Sequence, residues 1–225
     1  MNFKPERHYS FVILALFGVL ASLMAVPSVA NAETCHGKQL VVLGDSLTAG
    51  YGLKPGAAYP EKLGEVLTSQ GLEIEVVNAG VSGDTTAGGL SRLDWSVGEN
   101  AAAVIVELGG NDALRGIPVQ KTRENLETII TRLSERGISV MLAGMLAPPN
   151  LGEPYTREFA MIYADLAKMH DVIYYPFFLD GVAAIPELNQ DDGFHPNEAG
   201  IDVMVEKSLP SVLGLIERAC GVNKT

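Results

Sequence analysis

The sequence has little positive charge and few of the features that divide a chain into separate parts. Its 225 residues carry 16 Lys and Arg against 27 Asp and Glu, which gives a formal net charge of −11. This balance disfavours attraction to nucleic acid or to anionic lipid headgroups. No segment repeats and no linker is apparent. Because 47% of the residues are hydrophobic, the composition predicts one globular domain with a full core.

Long apolar runs are also missing, except for one near the amino terminus. This run extends from Phe11 to Val26 without a charge and is followed by the small residues Ala30-Asn31-Ala32. The pattern predicts a cleaved signal peptide over residues 1–32 and a mature domain over residues 33–225, in the periplasm or secreted. An uncleaved membrane anchor is the alternative, although the run is shorter than the ~20 residues that a spanning helix needs.

Cysteine is scarce as well, with only Cys35 and Cys220 in the chain. Neither lies in a motif that is typical of a catalytic cysteine. One precedes the first predicted strand and the other is near the end of the last predicted helix. Export to an oxidising compartment would allow a disulfide that ties the two ends of the domain together, and two free thiols are the alternative.

Apolar and amphipathic segments alternate along the rest of the chain. Strands are predicted near residues 39–43, 73–78, 103–108, 139–144 and 172–175. Helices are predicted near residues 59–70, 86–95, 117–136, 156–169 and 196–220. This alternation is typical of a parallel sheet covered on both faces. We therefore expect a three-layer α/β/α domain with a five-stranded, mainly parallel sheet.

Polar residues follow three of these strands in glycine-containing turns, at residues 44–46, 78–80 and 109–112. A fourth polar cluster, residues 191–197, precedes the last helix. Each segment alone could be ordinary turn or helix-cap chemistry, including Asp45 and Ser46. The carboxyl ends of parallel strands meet at one edge, however, so together these segments predict a single site.

His195 lies in the fourth cluster, three residues after Asp192. This spacing lets the carboxylate contact one ring nitrogen while the other points away, as acyl transfer by a serine requires. Binding of a divalent ion by Asp191, Asp192 and His195 is the alternative. No second His or Cys lies close enough to complete a familiar ligand spacing, so neither a metal nor another cofactor is expected.

The four segments, in this order, resemble the sequence blocks of the GDSL or SGNH hydrolase family, within its bacterial secreted arylesterase, thioesterase and lysophospholipase group. The similar segments are residues 44–47, 78–85, 109–112 and 192–197. The resemblance implies a flavodoxin-like fold and a nucleophilic Ser46, with His195 as base and Asp192 as the orienting acid. It also implies an oxyanion hole formed by the backbone N–H groups of Ser46 and Gly80 and the side-chain amide of Asn111.

The expected substrate is a small acyl or aryl ester, with lysophospholipids and thioesters also plausible. In relatives, the loop corresponding to residues 145–155 borders the acyl pocket, and apolar residues here would form such a wall: Leu146, Pro148, Leu151 and Tyr155, with Phe177, Phe178 and Ile185 from a later segment. A carbohydrate O-acetyl esterase is the alternative within the same superfamily. A catalytically silent envelope-binding protein is a further alternative from another functional class.

Overall fold

The computed structural model describes residue 1 and residues 35–221, so the predicted signal peptide lies outside the described residues except for Met1. Five strands form one sheet: β1 (Gln39–Gly44), β2 (Glu75–Gly80), β3 (Ala101–Glu107), β4 (Ser139–Ala143) and β5 (Ile173–Tyr175). Every pairing is parallel and the order is β2-β1-β3-β4-β5. The predicted fold class is confirmed, and the strand order is that of flavodoxin-like folds.

Eight α-helices accompany these strands in the part of the chain that the structure describes. They are α1 (Ser46–Ala49), α2 (Tyr59–Ser69), α3 (Thr86–Ser91), α4 (Leu93–Ser96), α5 (Gly110–Leu114), α6 (Val119–Glu135), α7 (Glu153–His170) and α8 (Glu198–Cys220). Helices α2 and α8 pack together, as do α6 and its neighbours α3 and α7. With this strand order, the right-handed rule for parallel crossovers puts these two groups on opposite faces of the sheet.

The core lies between the sheet and the two helix layers. Leu40, Val41, Val42 and Leu43 of β1 are all at most 1% exposed, as a central strand covered on both faces requires. Helix α6 buries Leu126, Ile129, Ile130 and Leu133 along one face, which is the spacing that its sequence predicts. Within residues 35–221, no helix combines the length and the apolar character needed to cross a membrane.

Three element boundaries differ from the sequence-based expectation in ways that affect the site. Strand β2 continues to Gly80, because Asn78, Ala79 and Gly80 pair with Val42, Leu43 and Gly44. Residues 46–49 form a short helix instead of a loop. Helix α7 begins at Glu153 with Pro154 in its first turn, so the last three residues of the loop expected at residues 145–155 are helical.

The strand order creates a crevice at the carboxyl edge of the sheet. After β1 the chain moves to β2 on one side, and after β3 it moves to β4 on the other. Ligands of open α/β sheets bind at such a switch point, outside the carboxyl ends of the strands. Ser46 lies two residues after the end of β1 and Asn111 four residues after the end of β3, so both lie at this crevice.

Candidate active site

The turn that carries Ser46 is a helix N-terminus built directly on the end of β1. Asp45 is the N-cap of α1, and its Oδ1 accepts a hydrogen bond from the Leu47 N–H at 3.0 Å. The interpretation of Asp45 as a helix cap is therefore confirmed. It leaves Ser46 at the first helical position, where the backbone N–H has no partner within the helix.

A buried carboxyl group of β3 supports this turn from below. Glu107 Oε2 accepts hydrogen bonds from the Asp45 N–H at 3.2 Å and from Thr48 Oγ1 at 2.8 Å. A Cβ at Gly44 would lie 2.5 Å from that same oxygen, so only glycine allows this approach. Complete burial, followed by the nearby charge of Asp45, raises the pKa of Glu107 well above its ordinary value.

Ser46, His195 and Asp192 form a continuous chain of hydrogen bonds. His195 Nε2 lies 2.9 Å from Ser46 Oγ, and His195 Nδ1 lies 2.6 Å from Asp192 Oδ2. Asp192 Oδ1 accepts bonds from the backbone N–H groups of Phe194 at 2.9 Å and His195 at 3.0 Å. These backbone bonds, together with the side-chain bond to His195, lower the pKa of Asp192 to about 2, so its carboxylate is charged at neutral pH.

Asn111 lies beside this chain, on α5, and is oriented by Asp45. Its Nδ2 donates a hydrogen bond to Asp45 Oδ2 at 2.9 Å. One amide hydrogen is used in this contact, and the other is left for a ligand in the crevice. Burial raises the pKa of Asp45 to about 6, although the bonds from Leu47 and Asn111 act in the opposite direction.

The prediction that the Gly80 backbone N–H is a donor of the oxyanion hole is wrong. Its N–H donates to Asn78 Oδ1 at 3.0 Å, and Gly80 is still part of β2. A Cβ at this position would lie 2.3 Å from the backbone nitrogen of Ala49, so the glycine is needed for the close approach of α1. Gly83, three residues later, has a φ of +84°. Within residues 35–221, its N–H donates no hydrogen bond.

A cavity of about 260 Å³ opens over these groups. Ser46, Asn111 and His195 line its polar side. The remaining wall is mostly apolar and includes Leu47, Leu114, Met145, Leu179 and Phe194. A second cavity of about 360 Å³ shares Leu114, Met145, Leu179 and Phe194 with the first, so the two adjoin.

The predicted apolar wall is only partly correct. Leu146, Pro148 and Phe177 line the second cavity. Phe178 does not, because it is fully buried and packs edge-on against Tyr59, with ring centroids 4.9 Å apart.

Two further wall predictions, Tyr155 and Leu151, are also wrong, because neither residue lines either of the two cavities. The Tyr155 hydroxyl donates to the Ile117 carbonyl at 2.8 Å, and the early start of α7 turns its ring onto Phe159. Leu151 packs against the main core.

The sequence reasoning missed the residues that line both cavities. Leu114 is on α5, Met145 follows β4, Leu179 follows Phe178, and Phe194 precedes His195. The available signal for Leu114 and Phe194 was their position in or next to a polar segment, three residues after Asn111 and one before His195, whereas Met145 and Leu179 had no such signal.

Cys35 and Cys220 form a disulfide with a Cα–Cα distance of 5.6 Å. Both residues are at least nine-tenths buried. The bond joins the segment before β1 to the last residue of α8 and lies at the opposite end of β1 from Ser46. Within residues 35–221, no cluster of three His, Cys, Asp or Glu side chains could hold a metal ion.

Comparisons with known proteins show the family to which the chain belongs. The model of the GDSL-like lipase/acylhydrolase family matches residues 42–203. Esterase TesA of Pseudomonas aeruginosa is 37% identical over 204 residues, which cover 90% of this chain and 98% of that protein. The thioesterase 1/protease 1/lysophospholipase L1 of Escherichia coli is 42% identical over 200 residues, which cover 88% of each chain.

A solved structure extends the likeness from sequence to fold. The crystal structure of AlinE4, an SGNH-hydrolase family esterase, matches with a TM-score of 0.67 and 45% sequence identity. The match covers 80% of this chain and 96% of that chain. The resemblance seen in the four sequence blocks is thus confirmed over most of the described residues, and the chain belongs to the GDSL-like lipase/acylhydrolase family.

Proposed function

We propose that this protein is a serine esterase that hydrolyses acyl and aryl esters through an acyl-enzyme on Ser46. The observation that carries the proposal is the hydrogen-bonded chain from Asp192 through His195 to the Ser46 hydroxyl. A serine is a weak nucleophile by itself and needs an adjacent base that a third group orients. The geometry provides both, with each contact within 3.0 Å.

The reaction begins when Ser46 Oγ attacks the ester carbonyl and His195 Nε2 accepts its proton. The charged Asp192 fixes His195 with Nδ1 as the donor and stabilises the imidazolium that forms. His195 then gives the proton to the leaving alcohol or thiol. In the second half, His195 removes a proton from water, which attacks the acyl-enzyme. The acid is released when the second tetrahedral intermediate collapses and His195 returns the proton to Ser46 Oγ.

The oxyanion of the tetrahedral intermediate would be held by the Ser46 backbone N–H and the Asn111 amide. Both belong to residues that line the cavity. The third donor in this proposal is the Gly83 N–H and not the Gly80 N–H. Within residues 35–221 the Gly83 N–H donates no hydrogen bond, whereas the Gly80 N–H donates to Asn78. Each such donor typically contributes ~3–4 kcal/mol to transition-state stabilisation.

The two adjoining cavities favour a substrate with an apolar acyl chain. Their shared wall is formed by Leu114, Met145, Leu179 and Phe194, which offer no charge to a sugar or a phosphate. The names of the relatives include esterase, thioesterase and lysophospholipase, so lysophospholipids and acyl thioesters are candidate substrates here. A carbohydrate O-acetyl esterase would need a polar site for the sugar beside a small acetyl pocket, and the apolar wall that the two cavities share does not favour it.

We further propose that residues 1–32 are a signal peptide and that the mature domain, residues 33–225, acts in the periplasm or after secretion. The disulfide between Cys35 and Cys220 supports this location, because such bonds persist in oxidising compartments.

The test is hydrolysis of p-nitrophenyl acetate, hexanoate and dodecanoate by the wild type and by Ser46→Ala. We expect turnover of all three esters, with kcat/KM higher for the longer chains, and loss of turnover in Ser46→Ala. Ser46→Ala that keeps its melting temperature and still hydrolyses the esters would refute the nucleophile. Wild-type activity limited to the acetate would instead support the O-acetyl esterase, and no turnover of any ester would support a silent binding protein.

A further inference from the structure

The two segments that meet in the active site are far apart in the sequence. Ser46 and His195 are separated by 149 residues. Their hydrogen bond therefore depends on the relative position of the loop after α1 and the loop before α8. Gln190 belongs to the loop before α8, five residues before His195. Its side chain is half-buried and makes contacts with both.

Gln190 uses its side-chain amide to join the two loops. Nε2 donates one hydrogen bond to the Tyr51 carbonyl at 2.7 Å and another to the Pro196 carbonyl at 2.9 Å. The backbone N–H of Gln190 donates to the His195 carbonyl at 2.7 Å. Both hydrogens of one amide are therefore used, one on the loop of the nucleophile and one on the loop of the base.

The loop after α1 is shaped to receive this side chain. Gly52 has a φ of +75°, and a Cβ there would lie 2.1 Å from Gln190 Oε1. The neighbouring Tyr51 also contacts the base directly, because its ring centroid lies 4.7 Å from that of His195. Tyr51 thus has its carbonyl bonded to Gln190 and its ring packed against His195.

The ion pair between Lys54 and Glu198 joins the same parts of the chain at 3.0 Å. Its side chains are 82% and 54% exposed, and such surface pairs contribute little. The amide of Gln190 is better shielded and makes two bonds at once. It is therefore the stronger candidate for setting the approach of the two loops.

We propose that Gln190 is a positioning residue that holds His195 at hydrogen-bond distance from Ser46 by joining the Tyr51 and Pro196 carbonyls. This inference rests on the proposed function, because it assumes that Ser46 and His195 carry the reaction. Gln190 does not touch the substrate in this account. Its effect is on the chemical step and not on substrate binding.

The test compares Gln190→Glu and Gln190→Ala with the wild type. Glu has the same shape but would place a carboxylate oxygen against two carbonyl oxygens, and Ala removes the side chain. We expect kcat per active site to fall ~10–100-fold in both variants, since small misplacements of catalytic groups have effects of this size. KM should stay within ~3-fold. Gln120→Ala is the matched control, because that exposed amide on α6 bonds Glu124 and lies outside the site.

Active sites are counted by exhaustive titration with a fluorophosphonate, and melting temperatures are recorded for each variant. A full titre with a reduced kcat supports positioning. A reduced titre with a normal kcat per titrated site shows a merely structural role and overturns the proposal, as does a kcat within ~3-fold of wild type in both variants. If Ser46→Ala is inactive while the Gln190 variants are normal, only this inference fails. If Ser46→Ala remains active, the proposed function itself fails.

Discussion

Asp45 should influence catalysis through Asn111 although it is not part of the Ser46–His195–Asp192 chain. Its Oδ2 accepts the bond that orients the Asn111 amide, and its Oδ1 caps α1. In Asp45→Asn, the new side chain can keep an oxygen on the Leu47 N–H, but it then presents an NH₂ group to Asn111. The Asn111 amide must flip to bond it, which places an oxygen where the oxyanion donor was.

The expected loss follows from that flip. Removal of one oxyanion donor lowers kcat ~10²–10³-fold, and Asp45→Asn should approach this value with a smaller change in KM. The effect should not add to that of Asn111→Ala. A double-mutant cycle measures this, because two changes that remove the same interaction give a double variant no slower than the slower single variant. Asp165→Asn, an exposed carboxylate on α7, is the control.

The same substitution should stabilise the protein. Raising the pKa of a carboxyl from 3.8 to about 6 means that folding disfavours its charged form by ~3 kcal/mol. At this carboxyl the folded protein binds the proton more tightly than the unfolded chain, so the contribution of Asp45 to the free energy of unfolding falls as the pH rises from about 4 to 6 and is then constant. Asp45→Asn removes this decrease and should gain up to ~3 kcal/mol above pH 6.

The assays are steady-state hydrolysis of a p-nitrophenyl ester and urea unfolding at pH 4, 6 and 8. Three results would refute the reasoning about Asp45. These are an unchanged kcat in Asp45→Asn, effects that add fully with Asn111→Ala, or a free energy of unfolding that falls relative to wild type as the pH rises.

Three further outcomes are expected. Cys35→Ser should lower the free energy of unfolding by up to ~5 kcal/mol, since the disulfide closes a loop with a sequence separation of 185 residues; equal urea midpoints would contradict this. Glu107→Gln should keep kcat near wild type, because the neutral isostere still accepts hydrogen bonds from the turn. Glu107→Leu leaves two buried donors unpaired and should lower the free energy of unfolding by about 1–3 kcal/mol for each. Equal unfolding curves for the two variants would count against this role of Glu107. Met145→Trp, at the junction of the cavities, should lower kcat/KM for p-nitrophenyl dodecanoate more than for the acetate, and an equal loss on both esters would argue against an acyl chain crossing that junction.

The sheet could be predicted from the sequence because its signals are local. The run Leu40 to Leu43 has the uninterrupted apolar character of a strand buried on both faces, and the structure buries all of it. The polar turns after β1 and β3 meet at one edge because parallel strands end together there. His195 and Asp192 could be paired because their contact depends on a spacing of three residues within one loop.

The errors arose where the answer depends on the register between strands or on the direction of a side chain. The sequence pattern does not distinguish Gly80 from Gly83. Only the pairing of Gly80 with Gly44 shows that Gly80 lies inside β2. Likewise, Phe177 and Phe178 are both apolar, yet one lines the second cavity and the other is buried against Tyr59. Contacts between distant loops, such as that from Gln190 to Tyr51, leave no local signal.

The most direct test of the central claim is the site of covalent modification by a fluorophosphonate. The mature protein is incubated with the probe and digested, and the modified peptide is identified by mass spectrometry, with Ser46→Ala and heat-unfolded protein as controls. Activation of Ser46 by His195 requires one adduct, on Ser46, that is absent from both controls. An esterase-active preparation that carries no adduct, or carries it on another residue, would contradict the account.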